Sequence, residues 1–260
     1  MTPYYDDGTV TLYHGDVLAI LRDLPTASAD AIVADPPYSS GGLFRGDRTT
    51  RDTVTKYVRT GAAPAGPAFT GDNRDQRSYL AWCTLWLTEC LRVARPGALL
   101  VMCTDWRQLP TTTDAVQAGG WVWRGIIPWT KPQHRSRPVK GGFWNQAEFI
   151  VWASSGPLRK EPDYAPCLPG HVHAAAPGPE DRVHITEKPQ EMFRMLAQAA
   201  PPGGLILDLF SGGGGMLVAT RATGRRCVGI ELAEEYCEAI VKRLHRDQRR
   251  GDQMSLEETL

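Results

Sequence analysis

Four acids close four short apolar runs of this 260-residue chain. Asp208 follows Leu205-Ile206-Leu207, Glu231 follows Val228-Gly229-Ile230, Asp35 follows Ala31-Ile32-Val33-Ala34, and Asp16 follows Leu12-Tyr13-His14-Gly15. A carboxylate beside apolar core is costly unless something donates hydrogen bonds to it. If the four runs are parallel strands, their carboxyl ends share the sheet edge at which open α/β sheets hold their ligands.

Two of these acids open segments with more definite chemistry. Asp208-Leu209-Phe210-Ser211-Gly212-Gly213-Gly214-Gly215 leads from a strand through four glycines into a helix. Such a turn lets a ligand approach the backbone closely and offers it the free N–H groups of a helix start. Glu231 lies 23 residues beyond Asp208, about the spacing at which an acid ending the second strand takes the ribose hydroxyls of a nucleoside cofactor. The run is not G-x-x-x-x-G-K-[ST], so a phosphate-cradling nucleotide-hydrolase loop is not expected. In Asp35-Pro36-Pro37-Tyr38, the two prolines remove two N–H donors and stiffen the chain, leaving carbonyls and the carboxylate as fixed acceptors. With the flat face of Tyr38 beside them, they suit an exocyclic amino group on a stacked base.

The elements that must carry these residues alternate. Apolar runs at Thr9–His14, Ala31–Ala34, Ala98–Cys103, Trp121–Trp129, Phe149–Trp152, Leu205–Leu207 and Cys227–Ile230 read as strands, several of them continuously apolar and so covered on both faces. Helical spacing links Tyr79, Trp82, Cys83, Trp86, Cys90 and Val93, then Met192, Met195, Leu196 and Ala199, then Tyr236, Ile240, Val241 and Leu244. Alternation of this kind gives an α/β domain with a mainly parallel sheet. Residues 39–77 and 153–183 break the rhythm as long loops, which are usually functional. The tail after Arg249 reads as frayed.

The chain resembles the DNA amino-methyltransferases, which methylate N6 of adenine or N4 of cytosine with S-adenosylmethionine. Asp35-Pro36-Pro37-Tyr38 is similar to their catalytic motif, Phe210-Ser211-Gly212-Gly213-Gly214 to their F-x-G-x-G cofactor loop, and His184-Ile185-Thr186-Glu187-Lys188-Pro189 to the segment that precedes that loop. Catalytic motif before cofactor loop is the permuted order of the family's β group. The resemblance implies a doubly wound, mostly parallel seven-stranded Rossmann-like sheet with helices on both faces, forming one catalytic domain over 1–260 whose cofactor-binding half is 184–245. It implies that Asp208, Phe210, Ser211, Gly212 and Gly214 face the methionine half of the cofactor, Thr186 and Lys188 its amino-acid end, Glu231 its ribose and Asp16 its adenine, with Leu232 a further cofactor contact. The plainer alternatives are a solvated helix-start charge for Lys188, core packing for Phe210 and a helix cap for Asp16. Asp35 and the Pro36 carbonyl would orient the amino group of a flipped base stacked on Tyr38. Asp at the first motif position leans towards adenine. The chain departs from the family at Leu209, often Pro, at Gly213 and Gly215, often Ser and Thr, and at Ile185 and Glu187, usually Pro and Gln. Asp208-Leu209-Phe210-Ser211-Gly212 also resembles the opening of the cytosine-C5 enzymes, but their Pro-Cys nucleophile would lie downstream, whereas Pro166-Cys167 lies upstream.

Composition limits the partners. Lys and Arg total 29, as do Asp and Glu, so the chain is formally neutral. Yet residues 39–77 and 131–147 together hold eleven basic and four acidic residues, and the rest carries the compensating deficit. These two basic loops are the expected contacts to double-stranded DNA, through Arg45, Arg48, Lys131, Arg135, Arg137, Lys140 and Asn145, with 153–183 as a short target-recognition region. A homodimer and a cognate restriction endonuclease are partners the resemblance allows. No membrane-spanning run is apparent, and the cytoplasm of a bacterium or phage host is the expected setting. The six cysteines show no C-x-x-C pair and read as reduced and buried; His171 and His173 lack the companions of a metal site, so no metal is expected.

Overall fold

The computed structural model describes residues 1–40, 53, 71–136, 140–160, 167–178 and 182–257, without the side chains of 135 and 250–257. Its elements are β1 (Tyr5–Asp6), β2 (Val10–His14), α1 (Val17–Asp23), β3 (Ala29–Ala34), α2 (Gln76–Val93), β4 (Ala94–Thr104), α3 (Leu109–Ala118), β5 (Val122–Thr130), β6 (Ala147–Ser154), β7 (Val172–His173), α4 (Gln190–Ala197), β8 (Leu205–Asp208), α5 (Gly215–Ala222), β9 (Arg226–Glu231) and α6 (Glu234–Glu257).

The strands form one sheet in the order β1-β2-β9-β8-β3-β4-β6-β5-β7. Strands β2, β9, β8, β3 and β4 are mutually parallel, and β6 runs antiparallel between β4 and β5. The seven strands expected from the resemblance are those from β2 to β5 in this order, and the two-residue strands β1 and β7 extend the edges to nine.

All six residues of β3 are buried, because helices cover both faces. Ala31 and Val33 point into a core filled by Met192 and Leu196 of α4, Met216 and Leu217 of α5, and Cys237, Ile240 and Leu244 of α6. Ile32 and Ala34 point the other way, towards Ile20 and Leu21 of α1, Cys83, Trp86 and Leu87 of α2, and Val116 of α3. This two-sided burial is why the run reads as continuously apolar rather than alternating. Helix α2 starts where Asp75 accepts hydrogen bonds from Arg77 N and Ser78 N at 2.9 and 2.8 Å. It ends at Val93, before Pro96.

Three expectations need revision. Helix α3 was not anticipated, because its buried residues include Thr112 and Thr113, which an apolar period overlooks; Thr112 meets Thr104 of β4 at 2.9 Å between hydroxyl oxygens. Helix α6 continues past Arg249 to Glu257, through a stretch without proline. Cys167 is exposed while the other five cysteines are buried, since it lies in the Pro/Gly-rich stretch rather than in an element. Among the described residues no His, Cys, Asp and Glu grouping could hold a metal ion, and no helix is long and apolar enough to cross a membrane.

Candidate active site

The parallel registers bring the four acids to one edge. His14 pairs with Glu231, Asp208 with Gly229, and Val33 with Asp208, so the edge reads Asp16, Glu231, Asp208, Asp35 across four adjacent strands. The opposite edge offers a contrast. There Asp30, 2% exposed, is taken up by Arg95, Arg159 and the backbone N–H of Leu205 as a structural ion cluster.

Beyond β8 the chain turns sharply. Leu209 N donates to Val33 O at 3.1 Å, Ser211 N to Ile230 O at 2.9 Å, and Gly214 N to Ser211 O at 2.7 Å. Gly212 and Gly214 take φ of +48° and +75°, the left-handed region that glycine occupies without a Cβ clash. The departures at Gly213 and Gly215 have a local cause. A Cβ on Gly213 would lie 3.2 Å from Glu187 Oε2, and one on Gly215 would lie 2.5 Å from the Phe193 ring, so neighbouring side chains fill the space that larger residues would need.

Glu187, where the family usually carries Gln, is used structurally. Its Oε2 accepts from Val183 N and His184 N at 2.7 and 3.3 Å, and its Oε1 accepts from Arg243 of α6 at 2.6 Å. Arg243 also donates to Gly213 O at 2.7 Å. One ion pair therefore ties the 183–188 segment, the glycine loop and α6 together. Thr186 hydrogen-bonds to His184, whose ring lies 4.7 Å from that of Tyr236; burial, then the Lys188 charge, lower the imidazole pKa to about 4.

Glu231 is half-buried. Its Oε2 accepts from Gly212 N at 2.8 Å and its Oε1 from Ala233 N at 2.9 Å, with the Leu232 N–H also directed at it, which leaves part of its acceptor capacity free. Burial raises its pKa. Asp208 and Ser211 are 3% and 6% exposed, and Asp208 Oδ2 and Ser211 Oγ have no hydrogen-bond partner. Burial above all, with Asp35 and Glu231 nearby, lifts the Asp208 pKa to about 7. Between its ordinary value of 3.8 and about 7 the folded chain holds a proton that the unfolded chain has lost. Ligand-free stability should therefore fall as pH rises through that window and level off above it. Asp208→Asn should flatten that fall in thermal unfolding across the same range; an unchanged pH slope would contradict this environment for Asp208.

Asp35 is held by Tyr38 of its own motif and by Lys188, 153 positions away. Lys188 Nζ lies 3.0 Å from both Asp35 oxygens, and Tyr38 OH donates to Asp35 Oδ1 at 2.8 Å. Three of the carboxylate's roughly four acceptor positions are thereby filled. The fourth, on Oδ2, belongs to a side chain still 20% exposed. Lys188 Nζ is 3.7 Å from Glu148 Oε2 and 5.0 Å from the Tyr38 ring centre. Glu148, on β6, also pairs with Lys131, which lies over the Trp129 ring. Burial alone would raise the Glu148 pKa, but the Lys188 and Lys131 charges carry it below the usual value. Burial, then the Asp35 charge, hold the Tyr38 phenol well above its usual range and so protonated.

The other predicted residues separate. Asp16 Oδ1 caps α1 by accepting from Leu18 N and Ala19 N at 2.9 and 3.3 Å. Phe210 packs against Trp82 and Trp86 at 5.6 and 5.5 Å between ring centres. Leu232 is half exposed, and His14 Nε2 lies 3.1 Å from its carbonyl. Lys188 is not a solvated charge; it is buried against Asp35. Lys131 turns inward to Glu148, whereas Lys140 and Asn145 are exposed beside the exposed Phe143 and Trp144. The backbone of Arg135 closes a short 3-10 turn. Arg45, Arg48 and Arg137 lie outside the described residues. Glu148 and Arg243 were not singled out in the sequence, and Glu187 stood out there only as a departure from the family.

A profile described as DNA methylase, for N6 and N4 methyltransferases, matches residues 29–242. The methylase YubD of Escherichia coli (strain K12) is 28% identical over 236 residues, 90% of each chain. Among solved structures, the complex of M1.HpyAVI with SAM aligns with a TM-score of 0.64 at 20% identity, covering 90% of this chain and 98% of that one. The PvuII DNA methyltransferase, cytosine-N4-specific, aligns with a TM-score of 0.64 at 15% identity over 92% and 87%. The match to the profile spans both the Asp35 motif and the Asp208 loop, and the chain belongs to the DNA methylase family of N6 and N4 amino-methyltransferases.

Proposed function

We propose that the protein transfers a methyl group from S-adenosylmethionine to N6 of an adenine flipped out of double-stranded DNA. The observation that carries this reading is the Asp35 carboxylate, fixed by Tyr38 and Lys188 with one acceptor position left at an open strand end. An exocyclic amino group has two N–H donors; Asp35 Oδ2 and the Pro36 carbonyl are the acceptors for them. Holding both hydrogens turns the nitrogen lone pair out of the ring plane, and alignment with electrostatics then supplies the rate without a covalent enzyme adduct. The nitrogen gains the methyl group and loses a proton, for which Asp35 is the nearest base. Lys188, 3.0 Å from both Asp35 oxygens, orients the carboxylate and acts as a positioning residue.

The residues at the glycine loop fit the cofactor. The unpartnered Asp208 Oδ2 and Ser211 Oγ would gain partners from its methionine half, and the spare lone pairs of Glu231 suit a ribose diol. When bound, the cofactor supplies an electrophilic methyl group on a sulfonium. Asp16, committed to capping α1 through Oδ1, would meet the adenine only through Oδ2.

The choice of adenine rests on Asp at the first motif position. Incubation with labelled cofactor and unmethylated genomic DNA, followed by nucleoside analysis, should return label in N6-methyladenine. Label in N4-methylcytosine would move the substrate and keep the chemistry, and label in neither would end the proposal.

A further inference from the structure

Immediately after Tyr38 the chain does something costly. Ser39 adopts φ +57°, a conformation that non-glycine residues rarely take and that clusters at functional sites. It is held there from several sides. Ser39 N donates to Asp72 Oδ1 at 2.8 Å, Ser39 Oγ to Gly71 O at 3.2 Å, and Arg74 N to Ser39 Oγ at 3.1 Å. Ser40 Oγ donates to Asp105 Oδ2 at 2.5 Å, while Asp105 Oδ1 accepts from Arg107 N and Gln108 N. Segments 39–40, 71–77 and 105–110 are thus laced together within two residues of the catalytic motif.

Between them opens a cleft of about 870 Å³ whose lining includes Ser40, Arg74, Arg77, Trp106, Arg107 and Gln108. Three guanidinium groups border it against the carboxylate of Asp75, which caps α2, and that of Asp105 behind Ser40, whose Oδ2 lies 3.9 Å from Arg107. Two guanidinium planes are set by aromatic rings, Arg74 at 4.1 Å over Trp82 and Arg107 at 4.6 Å over Trp106. Trp106 itself is 54% exposed at the rim. Helices α2 and α3 both begin at this cleft, and α3 has no side-chain cap, so its N-terminal dipole also favours negative charge there.

We infer that this cleft seats the sugar–phosphate backbone of DNA beside the extruded nucleotide, with Arg77 and Arg107 on phosphates and Trp106 against a sugar or base. The inference rests on the DNA reading above and adds a contact surface to it. Its position explains the cost at Ser39, since the same turn joins the motif that orients the amino group to the wall that holds the flanking backbone. Arginine held over an aromatic ring loses little side-chain freedom on meeting a phosphate, which suits a site that must fix register rather than read sequence.

The test measures binding of a short labelled mixed-sequence duplex against salt between about 50 and 200 mM, with S-adenosylhomocysteine present. Arg77→Gln with Arg107→Gln should weaken binding about tenfold and reduce the salt slope by about 1.8, two phosphate contacts at about 0.9 each. Trp106→Ala should weaken binding with the slope unchanged. Arg74→Gln serves as a further charge variant if the double variant unfolds. Methyl transfer by the wild-type protein is measured alongside. Wild-type methylation with unaltered slopes in the charge variants overturns the cleft and leaves the function standing. Reduced slopes without wild-type methylation support the cleft and remove the function. Absence of wild-type binding at the lowest salt removes both.

Discussion

Asp35→Ala should lower methyl transfer by about 1000-fold or more while binding of S-adenosylhomocysteine changes little. The carboxylate accepts from Tyr38 and Lys188 and offers its remaining position to the substrate amino group, so its loss removes the orienting acceptor. Asp208, Ser211, Gly212 and Glu231, proposed to hold the cofactor, lie on β8, β9 and their loops, and the hydrogen bonds of that loop do not involve Asp35. Asp35→Asn retains an oxygen of the same shape but gives up the charge that pairs with Lys188, and should fall between, at about 100-fold. Single-turnover transfer from labelled cofactor measures both variants, with thermal unfolding to verify that each remains folded. Near-normal turnover in Asp35→Ala would remove Asp35 from the chemistry.

Glu187→Ala should destabilise the fold by about 3 kcal/mol, because it strands Arg243 and leaves the N–H groups of Val183 and His184 without their acceptor. Arg243 is 17% exposed, so water recovers part of the loss. For a chain of this size the change corresponds to a fall in Tm of roughly 8 °C. Affinity for a cofactor analogue should fall as well, since Arg243 also holds the Gly213 carbonyl of the loop. Glu187→Gln keeps an acceptor for the two N–H groups and should be the milder variant. Thermal unfolding and equilibrium binding give the two readouts. An unchanged Tm in Glu187→Ala would show that the ion pair contributes no net stability.

The acids at the strand ends were legible because a carboxylate closing a buried apolar run is a local signal, and parallel pairing then places all four together. The glycine loop and the double proline were legible for the same reason, since each is a backbone requirement written in adjacent residues. Glu148 was not. It stands one position before the apolar run Phe149–Trp152, and only Lys188, forty positions later, makes it a half-buried partner of the site. Lys188 likewise looked like a cofactor contact from its motif, while its pairing with Asp35 crosses 153 positions. The basic surplus of residues 39–77 takes in Arg74 and Arg77 without distinguishing them, and it passes over Trp106 and Arg107, which join them only through the fold. Counting basic residues also could not separate the inward Lys131 from the exposed Lys140.

Expression of the wild-type chain in a host lacking DNA methylation, followed by modification-aware sequencing, tests the central claim most directly. N6-methyladenine at one fixed sequence motif, absent from cells expressing Asp35→Ala, is the predicted result. Unmodified DNA from the wild-type culture, with soluble folded protein recovered from the same cells, would contradict it.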